Sequence, residues 1–302
     1  MATSSSVAEN ERTLARGPML FFMNAYIKVA AGAVNRYHRA VRLAITTPLR
    51  PASDEEAAAR AAAARWGLPH APRGGRGLAR IAAEAGVDGL LVLSRTGAIL
   101  RLGGAEHRWS AGMGALRAKR ALARARGEDD PTTRDPFLEA SGIRPGVAVL
   151  DCTAGLGADA LVAATAAGPG GRVLALESSL ALAAWVGEGL ARLDLEAARR
   201  VEVRAGDHAA LLADLPDRSF DVVVFDPMFR HGRAEPAGFD LVRRLADPRP
   251  LSPAALERAR RVARRCVVVK DGAPGWDLAR LGLTPLPSAR GAHRYYARVP
   301  AL

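Results

Sequence analysis

Val147-Ala-Val-Leu-Asp151-Cys-Thr-Ala-Gly155-Leu-Gly157-Ala-Asp159 reads as a strand, a tight turn and the start of a helix. A short apolar run ends in a carboxylate at Asp151. Gly155 and Gly157 follow at once, and the chain then passes into an Ala- and Leu-rich segment with helical spacing. Glycine is required where the backbone turns sharply with no Cβ in the way, so that a ligand can lie against it and the helix N-terminus. A dinucleotide or nucleoside cofactor is the natural occupant. In a chain with 30 glycines, however, Gly-Leu-Gly needs support from the strands that follow.

From Pro136 onward, apolar runs alternate with helical stretches. Residues 147–151, 172–177, 201–205, 220–226 and 266–270 read as strands, and 295–299 as an antiparallel edge strand. The alternation predicts an α/β fold with a parallel sheet covered on both faces. Ser252-Pro253 opens the helix before the last parallel run. Leu256, Ala259, Val262 and Ala263 fall on one side of it, and Arg258, Arg260, Arg261, Arg264 and Arg265 largely on the other.

Upstream, three regions are expected: an extension over 1–45, a small α+β unit over 46–130 and the α/β domain over 131–302. Residues 1–16 are polar and read as disordered. Residues 18–45 are more apolar, but Asn24, Lys28, Arg36, Arg39 and Arg42 keep any run below the roughly 18–20 residues of a spanning helix. An amphipathic helix packed on the body, one lying on a membrane surface, and translation from an upstream start codon all fit. A signal peptide fits less well, because no small-residue cleavage site follows a clean apolar core, and no stable membrane association is expected.

After a break at 46–51, Ser53 is expected to cap a helix that runs to Trp66 and stops at Gly67. A short helix over 78–85 and a hairpin of strands 87–93 and 98–102 complete the unit. Residues 112–126 form a basic helix with Arg117, Lys119, Arg120, Arg124 and Arg126. It is either a solvated face or a phosphate-contacting edge beside the cofactor domain. Residues 128–131 read as a linker.

The net charge of +12 favours a polyanionic partner, although a coding bias toward Ala, Arg and Gly supplies positive charge by another route. Cys152 and Cys266 lie in apolar runs with no CxxC or Cys/His spacing, so neither a disulfide framework nor a metal site is suggested. A reducing cytoplasm fits best.

In an open parallel sheet, ligands bind outside the carboxyl ends of the strands. Here Asp151 ends the first run, Glu177 the second, Asp207 lies just past the third and Asp226 ends the fourth. Glu177 is placed to accept hydrogen bonds from both hydroxyls of a ribose. Asp207 is placed to accept from an adenine amino group, to cap the following helix, or both. Asp159 is either an acid at the positive end of its helix or a contact to a cofactor amine.

The decisive piece is Asp226-Pro227-Met228-Phe229. An exocyclic amine on a base is a poor nucleophile because its lone pair is delocalised into the ring. A carboxylate and a backbone carbonyl can hold such an amine pyramidalised while an aromatic ring stacks on the base, so acceleration comes from positioning and electrostatics.

Together, Asp151-Cys-Thr-Ala-Gly-Leu-Gly-Ala-Asp159, Leu176-Glu177 and Asp226-Pro-Met-Phe229 resemble the class I S-adenosylmethionine-dependent methyltransferases. More narrowly, they resemble the RsmJ-type family, which methylates the N2 amine of a guanine in small-subunit ribosomal RNA. Val267-Val-Val-Lys270, His293-Arg294-Tyr295 and Ala64-Arg-Trp66-Gly-Leu68 echo the same family, so the likeness covers roughly residues 46–302.

The resemblance implies a Rossmann-like sheet of seven strands, mostly parallel and closed by an antiparallel hairpin. It also implies S-adenosylmethionine as cofactor, with ribosomal RNA or the small ribosomal subunit as partner. Cofactor contacts are expected around Asp151, Thr153, Gly155 and Gly157, at Ala158 and Asp159, at Glu177 and Ser178, near Asp207 and His208, and at Asp226. Asp226, Pro227 and Phe229 are the expected catalytic group, with Met228, Lys270, His293 and Arg294 as RNA contacts. The chain departs from the family pattern at Ala158, where the family usually has arginine, at Ser178, and at Arg230-His231.

Three other readings share part of this pattern. One is a methyltransferase for DNA adenine, a protein amide or a small amine. A second is a nicotinamide-dependent oxidoreductase, which should show Gly-x-Gly-x-x-Gly where this chain has Ala160 in the last position. The third is a non-catalytic basic RNA-binding module.

Overall fold

The computed structural model describes residues 41–128, 134–227, 239–288 and 291–302. The extension up to residue 40, residues 129–131 of the expected linker, and the site candidates Met228 and Phe229 lie outside them.

The larger sheet contains β5 (Ala148–Asp151), β6 (Arg172–Glu177), β7 (Val201–Ala205), β8 (Phe220–Phe225), β9 (Ala263–Gly272) and β10 (Arg294–Pro300), in the order β7-β6-β5-β8-β9-β10. All neighbours are parallel except β10, which runs antiparallel to β9. Successive side chains of a strand point to opposite faces, and here both faces are apolar. Val149, Val222, Val224 and Val268 enter one core, while Leu150, Val223, Phe225 and Val267 enter the other.

The first core is covered by α4 (Pro136–Ser141), α5 (Ala158–Ala167) and α6 (Leu180–Ala191). The second is covered by α7 (His208–Asp214), α9 (Pro253–Val262) and α10 (Trp276–Arg280). Among the described residues, no helix is long and apolar enough to cross a membrane.

The expected seventh strand does not form among the described residues. Pro285 and Pro287 lie in the segment that would pair with the free edge of β10, and proline has no N–H for a ladder. A single bond from Leu286 N to Tyr296 O, 2.7 Å, marks the place. The parallel strand expected over 266–270 runs longer, over Ala263–Gly272, because the antiparallel ladder with β10 continues to Gly272 and Ala263 pairs with Phe220 of β8.

The smaller sheet has the order β1-β2-β3-β4, from Leu43–Thr46, Gly89–Ser94, Gly97–Leu102 and Ala105–Arg108. Strand β1 pairs in parallel with β2 and starts before the expected boundary at residue 46, so Leu43, Ala44 and Ile45 belong to a core rather than to an N-terminal extension. Ser53 is the first residue of α1 (Ser53–Trp66) and does not cap it. Ala52 takes the cap position, and its N–H is bound by Glu55 Oε2 at 2.9 Å. α2 (Leu78–Glu84) and the hairpin β2–β3 form as expected.

Tryptophans fasten this sheet to α6. Trp66 packs over Gly187 and Trp109 over Gly189, positions with no room for a Cβ. Trp66 Nε1 and Arg65 both donate to the buried Glu188, each at 2.8 Å, and Trp185 Nε1 donates to Ala98 O. The basic helix α3 (Gly112–Ala125) lies on α5, where a Cβ on Gly114 would meet Ala158 Cα at 2.9 Å.

Candidate active site

The turn after β5 is held from three sides. Cys152 N donates to Val224 O at 2.9 Å, and Ala154 N donates to Leu176 O at 2.7 Å. Thr153 N donates to Asp151 Oδ1 at 3.0 Å. Gly155 (φ +50°) and Gly157 (φ +79°) occupy the left-handed region, where a side chain is costly. A Cβ on Gly157 would also meet Val186 Cγ1 at 3.0 Å, whereas one on Gly155 would make only an ordinary contact with Thr153 O at 3.9 Å.

Glu177, at the end of β6, is buried and braces this turn. Its Oε2 accepts from Gly155 N at 3.1 Å and its Oε1 from Ser179 N at 2.9 Å. Burial raises the carboxyls of both Glu177 and Asp151 to about 7, against the hydrogen bonds that favour their charged forms.

At the end of β8, Asp226 N donates to Thr153 Oγ1 at 2.6 Å, which ties the fourth strand to the glycine turn. Its Oδ2 lies 2.5 Å from Lys270 Nζ on β9, and the same ammonium lies 2.9 Å from Asp159 Oδ2. Asp159 Oδ1 is 2.5 Å from Arg117 on α3. Arg117 Nε in turn meets Asp135 Oδ2 at 2.7 Å, while Asp135 caps α4 through Phe137 N.

Charges therefore alternate along a buried chain: Asp226, Lys270, Asp159, Arg117, Asp135. Burial alone would discharge Lys270, but Asp226 and Asp159 outweigh it and keep the ammonium charged. Burial also opposes charge on Asp159, yet Lys270 and Arg117 hold its carboxyl below the ordinary value. For Asp226 burial wins over Lys270, so its carboxyl lies above the ordinary range and is a better proton acceptor than a solvated aspartate.

A cleft opens at the carboxyl ends of β5, β6 and β8. Of the residues expected from sequence, it gathers Thr153, Gly155, Glu177, Ser178, His208, Asp226 and Pro227 on its wall. Asp151 sits buried behind the turn. Gly157 and Ala158 face helices instead, and Asp159 is spent in the charged chain.

Asp207 caps α7, accepting from Ala209 N at 2.7 Å, and pairs with Arg249 at 2.7 Å. His208 stands edge-on to Phe225 at 5.4 Å, and burial lowers its pKa toward the neutral ring. Lys270 makes carboxylate contacts rather than facing solvent. His293 and Arg294 are exposed near the start of β10, where the Arg294 charge still reaches Asp226.

Sequence reading missed Asp247, Arg249 and Leu251 on the cleft wall. The signal was present in Asp247-Pro248-Arg249-Pro250, where two prolines stiffen a short arm that crosses to Asp207. It also missed Arg117 as a partner of the site, for which α3 alone carries no signal.

The cleft suits a nucleoside cofactor, because a buried carboxylate stands beside backbone amide groups at a strand-end turn. A second carboxylate, held by a lysine, faces the same space.

Comparison with known proteins agrees. The family model described as "Putative SAM-dependent methyltransferase" matches residues 112–280, a stretch that begins with α3. "Uncharacterized protein YpiP" of Bacillus subtilis is 34% identical over 233 residues, covering 75% of this chain and 88% of that protein. "Ribosomal RNA small subunit methyltransferase J" of Alkalilimnicola ehrlichii is 32% identical over 272 residues, covering 81% and 94%. Among solved structures, the SAM-dependent methyltransferase NGO1261 from Neisseria gonorrhoeae shares the fold, with a TM-score of 0.51 at 22% identity over 85% of this chain and 95% of that one.

The nicotinamide-dependent reading is thereby set aside. The chain belongs to the RsmJ-like class I methyltransferases, and its cofactor is S-adenosylmethionine.

Proposed function

We propose that this enzyme methylates the exocyclic N2 amine of a guanine in small-subunit ribosomal RNA, acting in the cytoplasm. The observation that carries the reading is the placement of Asp226-Pro227. They open into the same cleft as Glu177, with the Asp226 backbone fixed by Thr153 and its carboxylate by Lys270. The name of the Alkalilimnicola relative supports the choice of RNA.

Glu177 and Ser178 are assigned to the cofactor's ribose, Thr153 and the Gly155 backbone to its methionine end, and His208 with Leu251 to the adenine. When bound, S-adenosylmethionine supplies an electrophilic methyl group on a sulfonium sulfur. The base must leave its stack to reach Asp226 in the cleft. Asp226 and the backbone carbonyl at Pro227 accept hydrogen bonds from the amine and aim its lone pair. As the nitrogen–carbon bond formed, the methyl–sulfur bond would break and leave a neutral thioether, the amine would lose a proton, and the raised basicity of Asp226 suits it to receive that proton directly or through water. Phe229, by its place in the sequence, is assigned to stack on the base.

Mass-spectrometric mapping of small-subunit ribosomal RNA from a deletion strain tests the reading. Loss of one N2-methylguanosine is expected, and an unchanged methylation map would overturn the ribosomal assignment.

A further inference from the structure

The positive charge of this protein is not spread evenly in kind. The three arginines of α9 and the two at the start of β9 are all used within the fold. Arg258 donates to Ala209 O and Arg260 to Pro300 O. Arg261 donates to Leu212 O and pairs with Asp217, Arg264 pairs with Asp221, and Arg265 donates to Gly142 O. These side chains close helix ends and strand edges and offer little to a partner.

Helix α3 is different. Its sequence, Gly-Met-Gly-Ala-Leu-Arg-Ala-Lys-Arg-Ala-Leu-Ala-Arg-Ala, contains no acidic residue. Gly114, Ala118 and Ala121 form its buried face. Arg117 is consumed by Asp135 and Asp159. Lys119, Arg120, Arg124 and the adjoining Arg126 are exposed, and no acidic side chain among the described residues pairs with them.

The spacing gives this charge a direction. At 100° per residue, positions 113, 117, 120 and 124 fall on one stripe of the helix. Arg117 is the member that turns into the site, where Asp159 and Lys270 connect it to Asp226. Arg120 and Arg124 continue the stripe about 4.5 and 10.5 Å farther along the axis. Met113, which is 64% exposed, lies one turn toward the other end. A row of guanidinium groups with no acidic partner among the described residues thus leads away from the catalytic acid along the helix that buttresses the cofactor turn.

We propose that this stripe, carried by Arg120 and Arg124, is the surface that holds the RNA backbone beside the nucleotide being methylated. Guanidinium groups suit phosphate because they donate in a planar fork. A polyanion gains from several such contacts by releasing counterions. The inference rests on the ribosomal RNA reading above and adds to it where the strand runs.

The test compares the full-length R120Q/R124Q variant with a charge-matched control, R50Q/R199Q, whose exposed arginines lie elsewhere on the surface. The probe is small-subunit ribosomal RNA transcribed in vitro, titrated at several salt concentrations between about 50 and 200 mM. S-adenosylmethionine affinity, measured by calorimetry, serves as the check that the fold and cleft are intact.

The stripe variant is expected to lose about tenfold or more in RNA affinity, with the log–log salt slope reduced by about 1.4 for two single-strand phosphate contacts. Its cofactor affinity should remain unchanged, and the control should lose much less on RNA. Equal losses in the two variants, or none in the stripe variant, would overturn the assignment to α3. Wild-type protein that binds the cofactor yet fails to bind this RNA would instead overturn the ribosomal reading on which it rests.

Discussion

Lys270 Nζ lies 2.5 Å from Asp226 Oδ2 and 2.9 Å from Asp159 Oδ2, so one ammonium on β9 holds two carboxylates from different strand–helix units. Replacing Lys270 by Met leaves these acids facing each other without that cation. The expected loss of stability is about 3–5 kcal/mol, the range for breaking a buried ion pair from one side. Adding Asp159→Asn should recover part of it, as read by chemical denaturation. Because Lys270 opposes the rise in the Asp226 carboxyl, its loss should also move the acid limb of the pH–rate profile to higher pH.

Glu177 links the turn to the cofactor. Glu177→Gln removes the charge but keeps the shape, and should weaken S-adenosylmethionine binding by roughly 10- to 100-fold, the worth of hydrogen bonds to a charged group. Since burial raises this carboxyl to about 7, wild-type affinity should climb between about pH 6 and pH 8 as the carboxylate forms. Calorimetry across that window should find the climb absent in the variant.

The same shift has a consequence for stability with the sign fixed by linkage. Asp151 and Glu177 titrate near 7 when folded and near 4 when unfolded, so the folded chain retains its protons longer. Their contribution to stability is full below about pH 4 and is lost as pH rises toward about 7. Thermal denaturation should therefore show a falling trend over this window, flattened in the Asp151→Asn and Glu177→Gln variants.

The two glycines of the turn should separate folding from binding. Gly157→Ala combines a left-handed backbone with a Cβ 3.0 Å from Val186 Cγ1, and should cost about 2–4 kcal/mol of stability. Gly155→Ala meets no clash, its nearest neighbour being Thr153 O at 3.9 Å, and should cost only the backbone preference, about 1–2 kcal/mol. Its larger effect should be on cofactor affinity. Denaturation and calorimetry on both variants check this division.

These elements were legible in the sequence to very different degrees. Strands 172–177 and 201–205 formed at the expected residues because a buried parallel strand is marked by its own apolar run. The strand-end acids Glu177 and Asp226 could be placed because topology fixes where such residues point. Strand β1 escaped notice because four residues, Leu43 to Thr46, become a strand only by pairing with β2, far along the chain. Arg117 escaped for the same reason: its partners Asp135 and Asp159 reach it only after Gly114 of α3 has packed on Ala158. The seven-strand expectation failed at Pro285 and Pro287, where a local property overrode the family pattern.

The central claim is that Asp226 handles the amine while Glu177 and the turn hold the methyl donor. Its most direct test is methyl transfer from labelled S-adenosylmethionine to unmodified small-subunit ribosomal RNA by wild type and Asp226→Ala, with nucleoside analysis of the product. Wild type should yield N2-methylguanosine. The variant should bind the cofactor as before and lose about 100- to 1,000-fold in rate, the scale of removing one well-placed polar group from a reacting centre. Undiminished methylation by Asp226→Ala would contradict the account.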